Sequence, residues 1–367
     1  MKFACDRDIL IKEITTAQEV ISSRNALSIL SNVLLHVEGN TLTVRATDLK
    51  VSFETKLPVD AAESGSTTIF CDKFLGILRS MPGGTATFED KGNGTFFIKN
   101  SDGSIDFKLK SIDASKFPEI KTVADDQYFS LPQRDFIEMI SQTVFAVSDD
   151  ETRYFMNGVF MEQAEDQLVM VATDGRRLSF IGTQPQAEVP DFAGVIIPPK
   201  ILNMIRKLAS GEGQFLMAVH EKNMFLKFEN LHLTSTLIEG QFPNYRRVIP
   251  ETQEHSIIVL SKDFEEALKR VSLLVEKSHR IYIDISGDVL TLRSEESEFG
   301  VAKETIPCEY QGPDNTVALN YRYLVDPLRV MDCEKIEIQY TEPNKALTMY
   351  SVPQDRYKHI VMPMQLD

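Results

Sequence analysis

The chain repeats itself, and the repeat limits the folds open to it. NVLLHVEGNTLTVRATDLKVSF at 32–53 is echoed by NGVFMEQAEDQLVMVATDGRRLSF at 157–180 and, more faintly, by RIYIDISGDVLTLRSEESEFG at 280–300. In each, a strand runs through a polar turn into a second strand. Thr41–Ala46 and Asp288–Arg293 alternate apolar with polar residues, as half-buried strands do. An amphipathic helix precedes every hairpin: Leu10, Ile14, Ala17 and Ile21, then Ile137, Ile140, Val144 and Val147, then Phe264, Leu268, Val271 and Val275 recur at the spacings of one buried helix face. A second helix follows each hairpin, and alternating strands follow that helix, with Gly92 and Gly94 supplying a tight turn in the first copy. The helical segments read as 6–24, 72–80, 131–148, 199–208, 261–280 and 320–331. Pro327 falls inside the last of them, where an interior proline costs up to about 3 kcal/mol, so that helix should be kinked or short.

A period of roughly 120 to 130 residues is a duplicated domain rather than a solenoid turn. The expectation is an α+β protein of three tandem domains, 1–124, 125–252 and 253–367. With 43% hydrophobic and 25% charged residues, the composition is that of a soluble globular protein. The opening MKFACDRDIL places charges where a signal peptide needs an apolar run, and no apolar run is long enough to span a bilayer, so a cytoplasmic protein without membrane association is expected. Cys5, Cys71, Cys308 and Cys333 lie far apart with no C-x-x-C pair, which points to reduced thiols rather than a zinc site or disulfides.

The net charge of −15 argues against a nucleic-acid partner if it is evenly spread. It is not. The six helical segments together carry +4, which leaves −19 on the remainder. A surface lined by those helices would draw a polyanion to one place and repel it elsewhere, although helices also collect Lys and Arg through propensity alone.

The run Thr173-Asp174-Gly175-Arg176-Arg177 sets an acid and two guanidinium groups around a glycine, which could hold a phosphate, orient a water or turn a hairpin. Asp48 and Asp174 fall at equivalent positions of two copies, so the repeat explains them better than a catalytic pair does. The six His residues have no metal-ligand spacing, and neither a nucleophile elbow nor a phosphate-binding glycine loop occurs, so no metal and no cofactor is expected. The remaining catalytic alternative is a nucleotide-binding or hydrolytic enzyme built on Asp174, Arg176 and Arg177.

MKF, the Ala-Thr-Asp hairpin, RYFMNG (153–158), VATDGRR (171–177), GQFPNYRRVIP (240–250) and VMPMQL (361–366), in this order along the whole chain, resemble the bacterial beta sliding clamp family, the processivity subunit of DNA polymerase III. The resemblance implies three DNA-clamp domains per chain and a head-to-tail homodimer ring, with helices around a hole for duplex DNA and sheets outside. It implies no reaction. It also implies that the replicative polymerase alpha subunit, the clamp loader and other clamp-binding-motif proteins dock short peptides into a pocket.

Matched residue by residue, the peptide pocket would take Met156, Thr173, Gly175, Arg176, Arg177, Leu178, Pro243, Arg247 and Val248, with Ile360, Val361, Met362, Pro363, Met364 and Gln365 from the tail. Methionine suits adaptable apolar walls, and an arginine rim can orient a peptide's carbonyl or acidic groups. Three departures from the family pattern bear on peptide preference: Arg176 stands where many members have His, Gln365 stands where Arg is frequent, and Asp367 extends past the usual leucine end. Arg24, Lys73, Arg153, Tyr154 and Lys200 match or adjoin DNA-contacting positions, while Asp72 replaces a basic neighbour of Lys73. For the dimer interface, SIDFKLK (104–110) reads as an edge strand offering Phe107 and Leu109 on one face, and the third domain offers Leu273, Leu274 and the acidic run EESE (295–298). A lysine-protected edge strand with no partner would read the same way.

Overall fold

The computed structural model describes residues 1–21, 28–185 and 188–366. Arg24 and Asp367 lie outside the described residues. Six α-helices occur among them: α1 (Arg7–Val20), α2 (Cys71–Ser80), α3 (Gln133–Ser141), α4 (Pro199–Leu208), α5 (Ser261–Val271) and α6 (Tyr321–Leu328). They pack in pairs, α1 on α2, α3 on α4 and α5 on α6.

Each pair belongs to one copy of a common plan. An entry strand leads into the first helix; a three-stranded meander follows, and then a strand that pairs back on the meander's first strand. In the first copy the meander is Asn32–Glu38, Thr41–Thr47 and Val51–Pro58, with Gly65–Phe70 returning to Asn32–Glu38. In the second it is Val159–Ala164, Gln167–Thr173 and Arg177–Thr183, with Val195–Ile197 returning. In the third it is Arg280–Ser286, Val289–Ser294 and Lys303–Pro307, with Asn315–Asn320 returning. After the second helix come three more strands, the first of which pairs with the entry strand in every copy. All strand pairs in this plan are antiparallel, so one face of each sheet can bury apolar side chains under the helices.

Joins between copies decide the compact units. Leu231–Thr236, the last strand of the second copy, pairs with Val51–Pro58 of the first and makes one 13-stranded sheet. Tyr357–Val361, the last strand of the third copy, pairs with Arg177–Thr183 of the second and makes a 9-stranded sheet. The chain accordingly divides into one unit of Met1–Pro132 with Glu212–Leu237 and another of Gln133–Gly211 with the chain from Ile238 onward. The second copy contributes to both.

Several helices differ from their sequence reading. In α1 the buried stripe is Leu10, Ile14, Ala17 and Val20, because the helix stops there and Ile21 turns to extended backbone at φ −67 and ψ 118. Asp6 caps its start, Oδ1 accepting from the amides of Asp8 at 2.8 Å and Ile9 at 3.2 Å. The segments 131–148 and 261–280 are not helical throughout: α3 ends at Ser141 before a short 3₁₀ turn at Val144–Ala146, and α5 ends at Val271 before Ser272–Leu274. Thr143 turns its hydroxyl back onto the Met139 carbonyl at 2.7 Å and leaves helical geometry at φ −125, as a β-branched residue at a helix end does. Over the observed bounds the helical charge falls from +4 to +2, and α4 alone carries +3 through Lys200, Arg206 and Lys207.

Pro327 shortens α6 rather than kinking it; the helix ends one residue later. Proline has no N–H for the Tyr323 carbonyl four residues back, and that carbonyl accepts instead from His359 Nε2 at 3.1 Å. A carbonyl can only accept, so Nε2 carries the proton, and Nδ1 accepts from the Ser179 hydroxyl at 2.7 Å. Burial, with the Arg177 guanidinium adding to it, pushes the imidazole down to about 3 and keeps it neutral.

The strand Asp106–Ile112 is only half an edge. Its end pairs with the strand Gly65–Phe70 through Ser111 and Ile112, whereas 106–110 has the strand Thr95–Asn100 as its single partner. Phe107 and Leu109 face Ile98 and Phe96, both fully buried, and Lys108 lies on the opposite face with its ammonium over Phe97.

Candidate functional site

The site lies in the second unit, around the turn that joins Gln167–Thr173 to Arg177–Thr183. Asp174 Oδ1 accepts from the amides of Arg176 at 2.8 Å and Arg177 at 3.0 Å, while the Thr173 hydroxyl donates to the Arg177 carbonyl at 2.6 Å and accepts from the Gly175 amide at 3.1 Å. The same ring closes the first copy: Asp48 Oδ1 accepts from Lys50 and Val51, and Thr47 bonds the Val51 carbonyl and the Leu49 amide. The repeated Thr-Asp is therefore a turn device. It occupies the Asp174 carboxylate with its own backbone, so the catalytic alternative finds no support in the geometry.

What the second copy adds is Gly-Arg-Arg, and the two arginines diverge. Arg177 is not a rim residue. Its side chain is 10% exposed and ion-paired to Asp174 at 3.1 Å and Asp326 at 2.6 Å. It also donates to the Phe145 carbonyl at 2.7 Å and stacks over the Tyr323 ring at 4.7 Å. One guanidinium thus ties the turn to α6 and to the 3₁₀ turn after α3. Arg176 is exposed and stands between two clefts. Burial and the neighbouring Asp174 push the Tyr323 phenol up from its ordinary value.

The first cleft, ≈ 110 Å³, is lined by Met156, Thr173, Gly175, Arg176, Arg177 and Leu178 together with Pro243, Val248, Ile360 and Met362, Leu178 and Ile360 being neighbours on paired strands. Tyr245 completes it and was missed from the sequence, although it lies inside the quoted FPNYRRV run. Its floor belongs to a packed cluster of Val169, Val171, Leu178, Phe242, Tyr245 and Ile360, so the apolar base is held by the core.

The second cleft, ≈ 320 Å³, is lined by Arg176, Met362, Pro363, Met364 and Gln365 together with Ser278, Arg280, Asn320 and Tyr323 of the third copy. No sequence signal marked those last four. Of the sequence-expected pocket residues, Arg247, exposed, and Val361, buried on its strand, line neither cleft. The tail is clipped in place: the Met362 amide donates to the Arg176 carbonyl and the Met364 amide to the Ala318 carbonyl, both at 2.8 Å. Met362 and Arg176 border both clefts, so the two form one divided groove.

Gly175 suits this turn for two reasons. Its φ is +88, and a Cβ there would lie 2.9 Å from Arg153 Nη1. Arg153 is held by Asp150 at 2.9 Å and comes to this turn from the segment Glu151–Met156, which ends at the cleft's Met156. Arg153, placed with DNA contacts in the sequence, therefore also stands beside the cleft. Tyr154 is 53% exposed and packs edge-on against Phe155 at 5.8 Å. Lys200 is half-buried on α4, and Lys73 is exposed on α2 in the other unit. Asp72 accepts from Gln18 of α1 at 2.6 Å, so this acid is engaged between helices. Among the described residues no group of three or more His, Cys, Asp or Glu is placed to hold a metal ion.

Comparison with known proteins covers the whole chain. Residues 1–121, 130–244 and 246–365 match the N-terminal, central and C-terminal domains of the DNA polymerase III beta subunit. The chain belongs to the DNA polymerase III beta subunit family. It is 42% identical to the beta sliding clamp of Treponema pallidum (strain Nichols) and 27% identical to that of Escherichia coli (strain K12), with both proteins of each pair covered over their full length. The crystal structure of the DNA polymerase III subunit beta from Pseudomonas aeruginosa superposes at a TM-score of 0.94 with 29% identity over all of both chains. The architecture is thus the sliding clamp fold with three domains of mixed helices and antiparallel sheets.

Proposed function

We propose that two copies of this chain close head to tail into a ring that encircles duplex DNA and holds a replicative polymerase to its template, with no chemical step of its own. The observation that carries the proposal is a joint used twice. Leu231–Thr236 pairs with the meander edge of the first copy, and Tyr357–Val361 pairs with that of the second. By the same rule the first copy's last strand, Asp106–Ile112, and the third copy's meander edge, Lys303–Pro307, are left over. The 106–110 half has one partner, and Lys303–Pro307 ends its sheet.

A second copy placed head to tail would satisfy both ends with a joint the chain already uses twice. Phe107 at 36% exposure, and Leu273 at 81%, are apolar side chains that such a contact would cover, with Leu109 and Leu274 beside them. Phe299 at 73% exposure belongs to the same region of the third copy and escaped the sequence reading.

DNA in such a ring would meet Lys73, Arg153, Tyr154, Lys200 and Arg24 through its phosphates, weakly and with strong salt dependence, because tight contacts would stop sliding. The divided groove would take a linear peptide from the polymerase alpha subunit, the clamp loader and other partners, with apolar anchors against Leu178, Val248 and Ile360 and polar groups against Arg176. No helix among the described residues is long and apolar enough to cross a membrane. Retention on circular against linear duplex after loading tests the ring: a clamp stays on the circle and runs off free ends, and equal loss from both overturns the reading.

A further inference from the structure

A second polar cleft lies in the first unit, away from the peptide groove. Four adjacent strands set charged or titratable residues directly opposite one another: Lys227 faces His232, His232 faces Glu54, and Glu54 faces Arg45. The next row on the same face is Phe225, Thr234, Ser52 and Thr47. Residues 120–123 and Tyr128 form the opposite wall and leave a cleft of ≈ 280 Å³.

Its charge is out of keeping with the molecule. The chain carries −15, yet among the described lining residues Arg45, Lys121 and Lys227 stand against a single carboxylate, Glu54, a net of +2. Glu54 is shared three ways: Arg45 Nε at 2.6 Å, His232 Nδ1 at 3.6 Å and Lys56 Nζ at 3.8 Å. Lys227 pairs at 2.6 Å with Asp125, whose side chain is 91% exposed, and a pair so open to water is easily exchanged for another anion. Among the described residues Lys121 donates to the neutral Asn223 Oδ1 at 3.5 Å. Hydroxyls of Thr122, Tyr128 and Thr234 add donors to the same space.

We propose that this cleft binds a dianionic phosphoryl group carried on a small molecule, a phosphate monoester. Two net positive charges are matched by a dianion and only half matched by a carboxylate. Arg45 offers planar N–H donors at one end of the strand row, Lys227 a point charge at its other end, and Lys121 a second from the segment 120–123. A cleft this small, walled on both sides, takes a compact ligand rather than a polymer backbone.

The inference does not rest on the clamp reading, and its probes work without DNA. His232 reports on it. Burial holds its pKa below the ordinary value, against the pull of Glu54, with Lys227 and Lys56 opposing the charged form and Asp125 favouring it. Lys121 and Arg45 are the other cations lining the same cleft. A bound dianion should raise the His232 titration by about one pH unit.

The experiment follows the histidine ring signals of the full chain by NMR during titration with inorganic phosphate, glycerol phosphate, dimethyl phosphate and a phosphoserine peptide. Saturable shifts at His232 with glycerol phosphate, weakened at least tenfold in the Lys121→Gln/Lys227→Gln double variant, are expected. An unchanged unfolding midpoint checks the fold of that variant, and Lys121→Gln alone, outside the sheet, must show the same direction. No saturable shift, or an affinity untouched by these substitutions, overturns the site. Equal binding of the monoanionic dimethyl phosphate overturns the dianion, and tighter binding of the phosphoserine peptide than of glycerol phosphate overturns the small-molecule source.

Discussion

Leu49 and Gly175 occupy one position in two copies of the same turn, at φ +74 and φ +88. The first copy tolerates a leucine in left-handed backbone because its side chain points into open surroundings, 58% exposed. The second has Arg153 in the space a Cβ would take. Gly175→Ala should therefore cost about 1 kcal/mol from backbone strain and also displace Arg153, which a urea unfolding curve and a peptide-binding isotherm would register together.

Arg177→Gln should cost more, about 3 kcal/mol or above, since it leaves Asp174 and Asp326 without their shared cation; equilibrium unfolding measures it. His359 yields a pH dependence. Its folded pKa of about 3 lies below the ordinary unfolded value, so the unfolded chain binds the extra proton first. The contribution is whole above about pH 6.5 and falls with acidification at up to about 1.4 kcal/mol per pH unit until the folded pKa is passed. Stability curves of the native protein and His359→Gln, compared from neutral to acid pH, should converge over that window; parallel curves would contradict the neutral buried imidazole.

At the scale of elements, proline and sheet edges show how far local pattern reaches. The interior proline of α6 was legible as a helix terminator. Its compensation was not, because the replacement donor, His359, comes from a strand 32 positions beyond Pro327 in the sequence. Replacing an interior proline by alanine ordinarily gains up to about 3 kcal/mol of helix stability. Here the Tyr323 carbonyl already has a donor, so Pro327→Ala should change the unfolding free energy by less than about 1 kcal/mol. Helix ends misread from the apolar stripe, at α3 and α5, fail for a related reason. Val144, Val147 and Val275 keep the helical spacing in sequence while the backbone has already turned into 3₁₀ or extended form. Periodicity records which face is buried and not where the hydrogen-bond ladder stops.

For the whole molecule, the decisive feature is that one strand-pairing joint recurs and leaves two ends over. Leu273 is 81% exposed, so Leu273→Asp should leave folding within about 0.5 kcal/mol of the native protein and, if the proposed ring contact covers it, shift sedimentation from dimer to monomer. Deleting the tail from Met362 should have the opposite profile, with the dimer retained and partner-peptide binding lost. It removes the strand extension that borders both halves of the groove.

The sequence by itself determined the repeat, the helix and strand alternation, the turn chemistry of Thr-Asp and the stretches that line the groove. These are written in local spacing and in residue types whose backbone preferences act over a few positions. The tertiary structure alone decided which sheets merged, and so divided the second copy between two compact units. It also decided that Arg177 would be a half-buried tie across elements, and that Asn320 and Tyr323 would join a groove built on residues far away in sequence. Strand edges pair through backbone groups that every residue carries, so nothing in a strand's own pattern names its partner across the chain.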